Sequence, residues 1–118
     1  MMYNQINDGQ GAYNMDTIRS RPPKRQLVRE VYGDDVYEYY PLGEYIVAAP
    51  GVCGGRPTFK YTRLEVSTIL ALIAAGESLQ QITQAYALSR LTPDAVKEAV
   101  RLADQALMRS VQMVPAAA

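Results

Sequence analysis

The sequence predicts a mainly α protein: a three-helix, homeodomain-like helix-turn-helix bundle preceded by a small N-terminal β-hairpin and strand region. Three observations lead there. Beyond Glu65 apolar residues recur at helical spacing in three successive segments. Those segments are punctuated by residues suited to helix ends. Before Pro50, short β-prone runs rich in tyrosine alternate with turn residues.

Taken in order, Met1 to Pro23 is rich in Asn, Gln, Gly and Asp, with too little apolar surface to offset its ordering entropy. Residues 1–25 therefore read as a flexible tail with a basic end, Arg19 to Arg25, either lying along phosphates or simply solvated. Residues 26–49 follow as a hairpin and a short strand, a candidate dimerisation region. Leu27–Tyr32 and Val36–Tyr40 flank a Gly33-Asp34-Asp35 turn, and Glu44–Ala48 offers a third run. An isolated hairpin is marginal in water, so these strands must meet a further strand, the helices or a second subunit. Tyr32, Tyr37, Tyr39, Tyr40 and Tyr45 fit either ordinary half-buried packing or an interface, where tyrosine is enriched.

Pro50 to Glu65 reads as a shaped, basic connector, with glycines and prolines for turns and Arg56, Lys60 and Arg63 for charge. It opens the helix-turn-helix region, residues 50–110. In the first helix, Glu65 to Ala75, the residues Val66, Ile69, Leu70, Ile73 and Ala74 form one stripe, and Gly76 closes it as a left-handed cap. Ser78 and Gln81 form a capping box for a second helix, Leu79 to Tyr86. Thr92 caps the third, with Pro93 in its first position and Asp94 in its first turn. Val96, Val100, Ala103 and Leu107 make its expected inner stripe, with Ala99 and Ala106 beside it. Lys97, Glu98, Arg101, Asp104, Gln105 and Arg109 are expected to face away. Residues 111–118 are expected to fray.

Gly54-Gly55-Arg56-Pro57-Thr58, then Lys60, Thr62-Arg63 and Val66, followed by Ala75-Gly76-Glu77-Ser78 and Leu91-Thr92-Pro93, resembles the family called domain of unknown function 433. The likeness spans roughly Tyr45 to Ala106. That family usually has Gly where this chain has Tyr61, and a shorter link where it has Ala87 to Arg90. The resemblance implies small helix-turn-helix proteins, some of them VapB-type antitoxins paired with PIN-like nuclease toxins. It therefore implies DNA binding or toxin neutralisation, and it brings no catalytic residues.

Composition narrows the chemistry. The 118 residues carry no net charge, but the charge is segregated: residues 30–55 hold five anions and no cation. One cysteine and no histidine leave neither a disulfide framework nor the ligands of a conventional zinc site, and suit a reducing cytoplasm. Cys53 reads as a small buried residue rather than a reactive thiol. The longest apolar run, Ile69 to Ala75, is far too short to span a bilayer, and no secretory leader is expected. No nucleophile and base are paired by spacing, so no enzyme, metal or cofactor is expected.

Two functions remain. One is a small transcription regulator, expected to be a homodimer, contacting duplex DNA through Arg56, Lys60, Arg63, Arg90, Thr92, Lys97 and Arg101. Asp94 and Glu98 oppose phosphate on the same helix, and Arg56 and Arg63 could instead pair with Asp34, Asp35, Glu38 or Glu44. The other is a protein-interaction module, an antitoxin or assembly subunit, gripping its partner through the tyrosine-rich hairpin or the flexible tail.

Overall fold

The computed structural model describes residues 25–115, so the expected tail, residues 1–24, and the last three residues lie outside it. The described residues begin with four strands: β1 Val28–Tyr32, β2 Asp35–Pro41, β3 Ile46–Ala48 and β4 Pro57–Phe59. They form one antiparallel sheet in sequence order. Three helices follow, α1 Val66–Ala74, α2 Leu79–Ala85 and α3 Pro93–Val111.

This is an α+β fold, and it corrects the expected mainly α helix-turn-helix bundle. The physical reason lies in the core. Ile46 of β3 and Phe59 of β4 are buried in the same cluster as Val66, Ile69, Ile82, Leu91, Ala95, Val96 and Ala99. The helices thus close against a sheet face rather than on one another alone. The supposed connector supplies that face: Pro57–Phe59 pairs with Ile46–Ala48 and becomes an edge strand, where proline's missing amide is tolerated.

Register explains which side chains go where. Strand side chains alternate between faces, so Ile46 and Phe59, directly paired, point to the helices. Tyr39, Val47 and Ala49 fall on the opposite face and bury a smaller cluster with Val28, Tyr37 and Val52. In the β1–β2 hairpin a two-residue turn, with Gly33 at φ 57°, joins Tyr32 to Asp35.

The helix ends follow the local chemistry of the sequence. Gly76, at φ 92°, ends α1 in a Schellman arrangement: its amide donates to Ile73 O, and the Glu77 amide to Leu72 O. Ser78 and Gln81 exchange both capping-box hydrogen bonds. The Thr92 hydroxyl accepts from the Ala95 amide at 3.2 Å.

α3 is turned from its expected orientation. Val100 and Leu107, assigned inward by periodicity, are exposed, whereas Glu98, assigned to solvent, is 4% exposed. Its carboxylate accepts from the backbone amides of Glu44 at 2.9 Å and Tyr45 at 2.7 Å, tying α3 to the turn between β2 and β3. Gly43 makes the approach possible, because a Cβ there would stand 2.6 Å from the Glu98 Cδ. A buried carboxylate is tolerable when amides satisfy it, and this one also has Arg101 at 3.7 Å.

Candidate interaction groove

Four tyrosines gather on the sheet face away from the helices. Tyr37 stacks at 4.9 Å on Tyr39 and at 5.4 Å on Tyr61, and Tyr32 meets Tyr61 edge-on at 5.6 Å. Three of them share an anchor, Glu30. Its carboxylate accepts from the hydroxyls of Tyr39 at 2.7 Å, Tyr61 at 2.9 Å and Tyr32 at 3.4 Å. The Tyr61 amide donates to the Tyr37 hydroxyl at 3.1 Å. Lys60 completes the cluster, its ammonium 5.0 Å from the Tyr39 ring centre and 5.1 Å from that of Tyr61.

The electrostatics follow from these contacts. The Tyr39 hydroxyl, helped by Tyr61 and the Lys60 charge, holds the Glu30 carboxyl below its ordinary range. Reciprocally, Glu30 pushes the Tyr39 phenol up, while Tyr32 is pushed up to about 12, first by its hydrogen bond with Tyr61. Glu65 is likewise lowered by Arg56. Lowered carboxyls stabilise the fold above their unfolded value and lose that contribution as pH falls through the folded one. Thermal stability is therefore expected to hold from neutrality to about pH 5 and decline below 4.5, the ordinary value of Glu30 and Glu65. Raised phenols lose their contribution only as pH rises from 10.0 toward about 12. Near-UV circular dichroism during acid and alkaline titration checks both limbs, because tyrosine dominates that signal in a chain with no tryptophan.

Beside the cluster lies an open groove of about 710 Å3, lined by Tyr32, Tyr37 and Tyr61, by Arg63 and Arg90, and by one carboxylate, Asp35. Among the described residues no ion pair involves either arginine. The backbone here is strained. Cys53, Tyr61 and Arg90 are the non-glycine residues with positive φ among those described, at 50°, 68° and 57°. Tyr61 and Arg90 line the groove, and the Cys53 thiol donates to Arg63 O at 3.4 Å. Each such conformation costs roughly 1–2 kcal/mol for an L residue and gathers where function requires it.

The remaining sequence candidates are dispersed. Arg56 forms a two-pronged pair with Glu65, at 2.9 and 3.1 Å, rather than meeting the acidic hairpin residues. Lys60 is enclosed by rings, Thr92 is used as a cap, and Arg101 leans on Glu98; Lys97 is exposed on α3. Tyr40 falls on the opposite sheet face from Tyr39 by strand alternation. Tyr45 packs against the helical core, its phenol pushed up by Glu44 and, further off, Asp94. Tyr61 went unassigned at the sequence level. Its signal was a tyrosine where the resembled family has glycine, at a position that takes a left-handed backbone.

Among the described residues, no group of three or more metal-ligating side chains gathers, and no helix is long and apolar enough to cross a membrane. Fold and groove define a small α+β protein with an aromatic and arginine-lined surface. Residues 46–103 match the family described as "Protein of unknown function (DUF433)", and the chain belongs to that family. Neither a curated protein nor a solved structure matches the chain. The match includes Lys60, Tyr61, Arg63 and Arg90 but stops short of β1 and β2, so the groove joins a family wall to one from the preceding segment.

Proposed function

We propose that this chain is a protein-interaction module that holds an acidic segment of a partner in the tyrosine and arginine groove. The observation that carries this reading is the pairing of Arg63 and Arg90, neither engaged by a described carboxylate, with a wall of tyrosine rings. Guanidinium groups bind carboxylates in two-pronged geometry, and rigid tyrosines add contact area at little entropic cost. The resemblance noted above suggests the class of partner, a PIN-like nuclease. Metal-dependent phosphodiester cleavage relies on clustered carboxylates, which an arginine pair complements. A reducing cytoplasm suits the free thiol of Cys53.

Duplex DNA is the second reading, favoured by the same two arginines together with exposed Lys97. Glu44 and Asp94 near the start of α3 and the internal use of Arg56, Lys60 and Arg101 weigh against it. Binding to an array of peptides of varied charge, in competition with a random duplex over a salt series, separates the two. The module reading expects enrichment of Asp and Glu beside apolar residues, and about tenfold weaker binding by Arg63→Ala. Duplex binding that outcompetes every peptide would hand the groove to DNA.

A further inference from the structure

We infer that β1 pairs antiparallel with β1 of a second copy of this chain, centred on Val31, so that the sheet continues across two protomers. β1 is an edge strand, with β2 on one side and no described strand on the other. The hairpin reaches past the body of the sheet. All of β1 is paired with β2, whereas β2 is joined to β3 only through Tyr40 and Pro41. On the face opposite the tyrosines, Val31 is 69% and its cross-strand neighbour Val36 is 47% exposed. The edge is lightly protected: β1 holds no proline, no lysine and no bulge in its register, and its two charges, Arg29 and Glu30, are of opposite sign.

Geometry and charge select one register. With a two-residue turn, Tyr32 and Asp35 form a hydrogen-bonded pair, so the amides and carbonyls of Arg29 and Val31 are directed at the open edge. A symmetric antiparallel pair is centred on a single residue facing its own copy. Centring on Arg29 or Glu30 would set like charges opposite each other, which destabilises a sheet. Centring on Val31 places Val36, Val31 and their two counterparts in a row across four strands. It also sets Arg29, which leans on Glu38 at 3.7 Å within its own hairpin, opposite Gly33 of the second copy and beside the acidic Asp34 of that turn. The surface is thus complementary to itself in shape and charge. This deepens the expectation that residues 26–49 pair two copies, by giving the pairing a strand and a register, and it leaves the tyrosine cluster on the other face.

Sedimentation of the full chain over a concentration series tests the inference, with Val31→Asp, Arg29→Glu and the exchange Arg29→Glu/Asp34→Arg as variants. A dimer is expected. Val31→Asp and Arg29→Glu should each raise its dissociation constant more than about tenfold, and the exchange should recover most of the loss. In a Cys53→Ser background, Val31→Cys should form an intermolecular disulfide under mild oxidation, and Val36→Cys should not, because only position 31 faces its own copy within bonding range. The cross-link keeps the test decisive if Val31→Asp disturbs the hairpin. A chain that stays monomeric at hundreds of micromolar, or a dimer whose cross-link favours Val36→Cys over Val31→Cys, would overturn the inference.

Discussion

Glu98→Ala is expected to destabilise the protein by roughly 3 kcal/mol, read as a shift in the urea midpoint. The two amides of Glu44 and Tyr45 would lose charge-assisted acceptors at 2.9 and 2.7 Å, in a turn otherwise closed over α3. Glu98→Gln should fall between, keeping one oxygen as acceptor but presenting an NH2 group to the other amide. Gly43→Ala should act on the same contact, because the added carbon would meet the buried carboxylate at 2.6 Å. The double variant should then cost less than the sum of the singles. Additive effects, or a loss below about 1 kcal/mol for Glu98→Ala, would mean that the turn is satisfied by water instead.

Ile82→Ala is expected to be of similar or larger size, about 3–5 kcal/mol. Ile82 is fully enclosed, and it is the buried residue of α2, a helix of seven residues. A helix that short does not persist on propensity alone, so its packing anchor also keeps it helical. The variant should therefore lose far-UV helical signal as well as stability. Loss of stability with α2 intact by amide hydrogen exchange would show that the capping box of Ser78 and Gln81 suffices to hold it.

Local chemistry was the readable part of this sequence. Gly76, Ser78, Gln81, Thr92 and Pro93 act within a few residues of themselves, so the end of α1 and the starts of α2 and α3 could be placed without knowing the fold. The β1–β2 hairpin was readable for the same reason. What escaped were features decided between distant segments. Pro57-Thr58-Phe59 looks like part of a loop until Ile46–Ala48 is beside it. Periodicity gave α3 a stripe, but a carboxylate counted as polar could not be seen as an inward residue held by backbone amides. The rotation of α3 goes with that contact and leaves Val100 exposed, whereas Leu107 is exposed because residues 104–115 all run past the core. The groove required the most distant juxtaposition, joining the hairpin, the stretch around Tyr61 and the loop at Arg90. Of its cations the sequence had named Arg63 and Arg90 for a different ligand.

The left-handed backbone at Arg90 gives the most direct test of the groove. Glycine adopts φ 57° without the side-chain clash, so a residue kept there for folding alone would have no reason to be arginine. The measurement is Arg90→Gly against the unaltered chain, comparing thermal midpoint and affinity for the best acidic peptide from the array in one buffer. An unchanged or higher midpoint with affinity reduced about tenfold is the expected result. A lower midpoint with unaltered affinity would contradict it, and would make Arg90 a structural residue beside a surface used for something else.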